Sequence, residues 1–351
     1  MKWFGLAAML VSMSLMANAQ GTAAGTGTSR SSQGALQMYF IDVEGGQATL
    51  FVGPGGESLL IDTGWPGFNG RDADRIAAAC KAAGVTKIDN LLITHYHTDH
   101  VGGVPQLVAK IPVGRFIDHG VNREDERATV AGWNAYQKVL QEGHAEHLVV
   151  KPGDVLPLKS FHAEIVSADG QLISKALPGA GEKNAACDAS PTKPLENTEN
   201  DRSVGAMITF GKLRILDLGD LTWGEERPLM CPIDKLGKVD IYVASHHGFD
   251  RSGSPALVDA IAPRLVIMDN GGHKGGDPTT FETIEGSSRV KDLWQLHTAQ
   301  ASDAKHNAAE SRIANLPGPD AGNYLNVTAR RDGTYSVTNS RTSETVEYSA
   351  K

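Results

Sequence analysis

The chain has 351 residues, 40% of them hydrophobic and 21% charged, and a formal net charge of −8 at pH 7. This is ordinary globular composition, long enough to bury a sizeable core in one large domain or two modest ones. The acidic balance argues against a basic, nucleic-acid-coating surface.

The first residues read as an export signal over 1–19. Lys2 supplies a positive start, 3–16 is apolar, and Ala17-Asn18-Ala19 gives the small-x-small pattern before a cleavage point at Gln20. The apolar core is shorter than the roughly 20 residues a bilayer span needs, which favours cleavage over a retained anchor. The expectation is a secreted or periplasmic mature protein with no stable membrane insertion. Residues 20–35, rich in Gly, Ser and Thr, read as a flexible linker, and one domain is expected over 36–351.

Strands are predicted at 36–43, 48–52 and 58–61, with the glycine-rich turn 53–56 between the last two. A helix at 71–83 stops at Gly84, and 90–94 is a short apolar run that reads as a buried strand. A helix at 104–109, a strand at 114–118 and a helix at 123–142 continue an α/β alternation. Strands follow at 147–150, 161–167, 203–210, 213–218 and 241–244, then a helix at 254–262 and a strand at 264–268. The tail 324–348 alternates in strand fashion around Asp332-Gly333, a hairpin pair. Residues 175–201 lack periodicity and read as a long surface loop. The three cysteines are too scattered for a cysteine-based zinc site. Export makes a Cys187–Cys231 disulfide reasonable if the loops approach, and leaves Cys80 free and buried in an Ala-rich helix.

The strongest chemical signal is Thr94-His95-Tyr96-His97-Thr98-Asp99-His100, directly after the apolar strand. Zinc favours nitrogen and oxygen ligands and, in catalytic sites, keeps a position open for water. A turn leaving a strand can direct His95 and His97 to one metal, while Asp99 and His100 reach a second. Gly102-Gly103 would let backbone pack close to the site.

His-x-His-x-Asp-His after a strand resembles the hallmark of the metallo-β-lactamase superfamily. That resemblance implies a four-layer αββα sandwich of the α/β class, two Zn2+ ions per chain, and hydrolysis by a water that the metals activate. Leu59-Leu60-Ile61-Asp62-Thr63-Gly64 looks like the family's strand ending in Asp-x-Gly. Asp62 would then orient the histidine loop without binding metal. Ile215-Leu216-Asp217-Leu218-Gly219-Asp220 resembles the strand ending in Gly-Asp, with Asp220 as the carboxylate bridging two metals. Ser245-His246-His247-Gly248 resembles the final histidine loop. His246 is read as the ligand and His247 as a catalytic, substrate-facing or supporting residue, an order that could be reversed. Asp99 would also orient the water and relay a proton to the leaving group.

The sequence departs from the familiar members where they carry a histidine before Gly-Asp; here the stretch reads Glu199-Asn200-Asp201-Arg202-Ser203-Val204. Asn200 and Ser203, with His-His-Gly, resemble the branch containing the hydrolase domain of the DNA-uptake competence protein. On that reading Asn200 and Ser203 support the ligands. The first metal lacks a third histidine, and His119, at the end of a predicted strand, is one substitute; Asp201, Asn200 or a water are others. The branch favours a phosphodiester or other phosphoester substrate, and the net charge argues against a long polyanion such as nucleic acid. Arg202, Arg251 and Lys274 are candidates for a phosphate contact, and His273 for a substrate contact. A lactone, ester or β-lactam hydrolase of the same fold is the alternative, as is a metal-binding module without catalysis. An iron redox member is disfavoured, since no flavin-binding segment is evident. Oligomeric state is not readable from the sequence.

Overall fold

The computed structural model describes Met1 and residues 34–350. The export segment beyond Met1, and the linker as far as residue 33, lie outside the described residues. Among the described residues no helix is long and apolar enough to cross a membrane.

β1 (Leu36–Phe40), β2 (Thr49–Val52) and β3 (Ser58–Ile61) form an antiparallel meander, and α1 (Arg71–Ala82) carries the chain back to β4 (Asn90–Leu92), parallel to β3. Two short helices, α2 (Thr98–Val101) and α3 (Val104–Val108), precede β5 (Arg115–Asp118), and α4 (Arg127–Glu142) precedes β6 (Glu146–Val149). A second sheet follows from β7 (His162–Ala168), β8 (Gln171–Leu172), β9 (Gly205–Phe210) and β10 (Leu213–Asp217). α5 (Trp223–Met230), β11 (Ile241–Val243), α6 (Pro255–Ile261), β12 (Leu265–Met268), α7 (Pro278–Gly286), β13 (Asp292–His297) and β14 (Ile313–Asn315) extend it. β15 (Leu325–Ala329), β16 (Thr334–Asn339) and β17 (Thr345–Ser349) return to the first sheet, where β15 pairs with β1. The orders are β17-β16-β15-β1-β2-β3-β4-β5-β6 and β14-β13-β12-β11-β10-β9-β7-β8.

Side-chain alternation explains the layering, because a strand buried on both faces sends successive residues to opposite sides. Leu59 and Ile61 of β3 join Ile215, Ile241, Ile267 and Trp294 in a core shared by the two sheets. Leu60, between them, faces the other way and packs with Ile76 of α1, Leu107 of α3 and Tyr136 of α4. On the second sheet Leu216, Tyr242 and Val266 turn outward onto Leu229, Leu257 and Phe281 of the covering helices. The result is the expected four-layer αββα sandwich.

Five of the numbered elements were not evident in the sequence: α5, α7, β8, β13 and β14. α5 contains Pro228 and a polar first turn, α7 starts on a proline, and β14 has only three residues, so each lacks the periodicity that would mark it. α4 starts later than the predicted 123, because the Glu126 carboxylate accepts the Ala128 and Thr129 N–H groups (2.7 and 2.9 Å) and caps the helix there. The disulfide between Cys187 and Cys231 is formed, and Cys80 is free and buried. The 175–201 segment is stapled by that disulfide beside α5. Lys193 lies over the Trp223 ring (4.3 Å), and the segment ends in a 3-10 turn, Glu199–Arg202.

β3 to β6 run parallel, as do β10 to β14, and the residues singled out for chemistry follow the carboxyl ends of these strands. The histidine loop is docked there by backbone. Thr63 N–H donates to the His100 carbonyl (2.8 Å) and Gly103 N–H to the Gly64 carbonyl (3.0 Å). A Cβ at Gly103 would collide with the Thr63 carbonyl oxygen, and one at Gly102 with the Thr98 carbonyl oxygen and Pro66. Gly103→Ala is therefore expected to lower stability by about 1–3 kcal/mol, the usual cost of overpacking. Urea unfolding of the two proteins measures it; an unchanged midpoint would show that the β3 turn yields freely.

Candidate metal centre

Asp62 leaves β3 with a left-handed backbone (φ 59°) and is fully buried. Its carboxylate accepts the Thr94 N–H (2.8 Å) and Thr94 Oγ1–H (2.6 Å), and lies 2.7 Å from His100 Nδ1. An N–H held at Nδ1 leaves the His100 lone pair on Nε2. Nε2 is 3.3 Å from Asp99 Oδ2, 3.3 Å from Asp220 Oδ2 and 3.2 Å from His247 Nε2. On the opposite side, His247 Nδ1 lies 3.3 Å from Asp269 Oδ1, while its Nε2 is 3.2 Å from Asp99 Oδ2 and 3.6 Å from Asp220 Oδ1.

Asp99, His100, Asp220 and His247 thus each offer a buried ligand atom, all within 4.8 Å of one another. Two imidazole nitrogens, the His100 one held from its far side by Asp62 and the His247 one with Asp269 behind it, meet face to face beside two further carboxylates. Among the described residues nothing satisfies both lone pairs and both anions at once; a divalent cation does. The donor set of nitrogen and carboxylate oxygen therefore fits a metal.

The charges follow the same geometry. Burial opposes ionisation of Asp220, but His100, His246 and His247 outweigh it and hold the carboxyl well below the usual range. Burial likewise opposes ionisation of Asp99, where Lys274 and His100 win and the carboxyl is again held well below the usual range. At His100 burial is outweighed by Asp220, Asp99 and Asp62, which raise its pKa well above the ordinary imidazole value. His95 goes the other way: burial, then the neighbouring His100 and His97, push it well below that value.

His95 Nε2 is buried without a hydrogen-bond partner, 3.9 Å from Asp220 Oδ2. His97 is held at Nε2 by Glu124 Oε2 (3.0 Å), which leaves Nδ1 as its free nitrogen. His95 and His97 pack ring against ring, with centroids 4.6 Å apart. His246 Nε2 is 3.4 Å from Asp220 Oδ2.

His119 lies outside the Asp99, His100, Asp220 and His247 group: its Nε2 is 3.0 Å from Glu199 Oε2, its ring packs against Tyr96, and its Nδ1 is buried without a hydrogen-bond partner. Of the histidine pair, His247 is 1% exposed and sits among Asp99, His100 and Asp220, the alternative order that the sequence left open. Asp201 is engaged by Thr222 Oγ1 and the Asn197 N–H. Ser203 Oγ accepts the Asp220 N–H (3.2 Å), whereas Asn200 Nδ2 donates to Glu196 and its buried Oδ1 has no partner. Of the basic residues, Arg202 pairs with Asp169 and Arg251 with Glu196. Only Lys274 reaches the cluster: its ammonium contacts Asp99 Oδ2 and the Gly45 carbonyl.

The sequence reading missed Glu124, Glu199 and Asp269. Asp269 was findable, since it ends an apolar strand as Asp62 does; the two glutamates lie in polar loops without a pattern. Asp42, Glu44 and His297 form a second close group, but the Arg75 guanidinium already balances Asp42 (2.9 Å).

A family model described as the metallo-beta-lactamase superfamily matches residues 41–182. Recombination protein 2 of Haemophilus influenzae is 22% identical over 279 residues, covering 79% of this chain and 29% of that protein. ComE operon protein 3 of Bacillus subtilis is 24% identical over 194 residues, covering 54% of this chain and 21% of that protein. The chain thus spans less than a third of the length of either relative. Hydroxyacylglutathione hydrolase of Stenotrophomonas maltophilia is 28% identical over 126 residues, covering 36% of this chain and 45% of that protein. Residues 41–182 thus match the metallo-β-lactamase superfamily, and with the αββα layers and the buried Asp99, His100, Asp220 and His247 group the chain is similar to its metal-dependent hydrolases, the competence-type relatives among them.

Proposed function

We propose that this protein is an exported, zinc-dependent hydrolase of a phosphodiester or other phosphoester, with two metals held around Asp220. The observation that carries the metal reading is the meeting of His100 Nε2 and His247 Nε2, 3.2 Å apart between Asp99 and Asp220. Imidazole and carboxylate donors favour zinc, and metal bound there would make a water nucleophilic near neutral pH and polarise the oxygen of the group under attack.

The chain's own residues do the rest. Asp62 holds the far nitrogen of His100, keeping its Nε2 turned inward, and the Asp269 carboxylate lies 3.3 Å behind His247 Nδ1. Asp99, at the start of α2, would orient a water and pass its proton to the leaving oxygen. The Lys274 ammonium at Asp99, with the Trp65 ring 5.2 Å away, is the nearest positive charge for a phosphoryl oxygen. The Asn200, Ser203 and His246-His247-Gly248 resemblance to the competence-protein branch supports the phosphoester. The net charge of −8 favours a small or short substrate over a long polyanion. Export rests on the Lys2 to Ala19 pattern, and the Cys187–Cys231 bridge fits an oxidising compartment.

Elemental analysis beside a panel of chromogenic phosphodiester, thioester, ester, lactone and β-lactam substrates tests this. Two zincs per chain with phosphodiester turnover are expected, and Asp220→Ala should reduce that turnover at least about a hundredfold. Faster thioester turnover would move the assignment to the chemistry named for the hydroxyacylglutathione relative. No bound metal after zinc supplementation would sink the reading. A subtler substitution isolates the orienting role: Asp62→Asn should weaken metal affinity by about 10–100-fold while leaving the chain folded. Competition with a chromogenic chelator reads that change.

A further inference from the structure

The first metal, on His95 and His97, lacks its third protein ligand at the expected place. Residues 199–204 hold no histidine, Asp201 and Glu199 are engaged by other groups, and His119 is committed to Glu199. We infer that His246 supplies this ligand, so that the adjacent His246 and His247 serve different metals on opposite sides of Asp220. The inference rests on the two-metal reading above.

Three observations carry it. The first is the backbone: His246 and His247 both have left-handed φ values, 56° and 54°. Their rings are turned apart, with centroids 6.2 Å apart and planes at 72°. His246 Nε2 meets Asp220 Oδ2 at 3.4 Å, while His247 Nε2 meets Asp220 Oδ1 at 3.6 Å.

The second is the company at Oδ2. His95 Nε2, buried and without a partner, points at the same oxygen from 3.9 Å. The third is how His246 is held. Its N–H donates to the Gly219 carbonyl (3.0 Å), docking the loop on the turn that carries Asp220. Its Nδ1 lies 3.3 Å from Ser252 Oγ. With the Nδ1–H donated to that hydroxyl, Nε2 turns its lone pair toward the Asp220 carboxylate, the arrangement that a shared cation favours.

Cadmium-113 NMR and elemental analysis of the mature chain test the assignment without recourse to turnover. The unsubstituted protein should hold two cadmium ions and show two resonances. His246→Ala should keep the resonance of the Asp99, His100 and His247 site and lose the other, with affinity there reduced at least about tenfold. His247→Ala should do the converse. Asn200→Ala, which removes the competing buried oxygen, should keep both.

Two resonances with unchanged chelator competition in His246→Ala would overturn the inference and leave the hydrolase reading standing. So would a single metal in the unsubstituted chain, or loss of the first metal in Asn200→Ala alone. No metal in the unsubstituted chain would overturn both. If His246→Ala does not fold, His246→Gln keeps the volume and is read in the same way.

Discussion

The site depends on one buried carboxylate. Asp62 closes β3, and its two oxygens hold the Thr94 backbone, the Thr94 hydroxyl and His100 Nδ1 together. Each bond acts at a different level. The backbone bond sets where the chain leaves β4, the hydroxyl bond sets the Thr94 rotamer, and the imidazole bond sets which nitrogen of His100 carries the proton. A residue ending one strand thereby aims a loop that follows the next, and the parallel β3–β4 pairing puts them in register. Burial pushes the Asp62 carboxyl up from the ordinary value, and the His100 and Thr94 contacts pull against that cost.

The same economy decided what was legible in the sequence. Apolar strands ending in His or Asp could be read directly, because strand periodicity and side-chain chemistry coincide at 59–62, 90–95 and 213–220. The αββα layering was implied by the resemblance that His-x-His-x-Asp-His carries, and the α/β alternation agreed with it. What stayed hidden was partnering across the chain. Nothing near residue 119 says that Glu199, 80 positions on, will reach His119 first. Glu124 was equally silent, since its role depends on the turn after β5 bringing it to His97 Nε2. α5 and α7 were obscured for a local reason: proline and polar first turns conceal an apolar face that only the second sheet reveals.

The histidine pair shows where local strain is concentrated. Left-handed backbone at a non-glycine residue costs about 1–2 kcal/mol, and two such residues in succession are uncommon. Gly248, also left-handed (φ 81°), and Gly275, whose added Cβ would strike the His247 carbonyl, let the turn tighten further. The Gly276 N–H donates to that carbonyl (3.0 Å) and holds it in place. A relaxed turn would send successive side chains elsewhere. The strain is maintained by the surrounding hydrogen bonds, and what it achieves is two imidazoles on either side of one carboxylate.

The balance of charge closes the argument. Asp62, Asp99, Asp220 and Asp269 converge on His100 and His247, and the nearest fixed positive charge is Lys274. Unpaired anions at this depth would cost several kcal/mol each. The carboxylates draw positive charge toward them: they raise the His100 pKa well above the ordinary value, and the Lys274 ammonium lies at Asp99. A divalent ion competes with a proton for the His100 Nε2 lone pair and with the ammonium for the same carboxylate oxygen. Acid and metal loading would therefore oppose each other at His100, and a metal at Asp99 would compete with the Lys274 ammonium, which also holds the Gly45 carbonyl. On the phosphoester reading proposed above, an ammonium released in that way would be the nearest positive charge for the substrate.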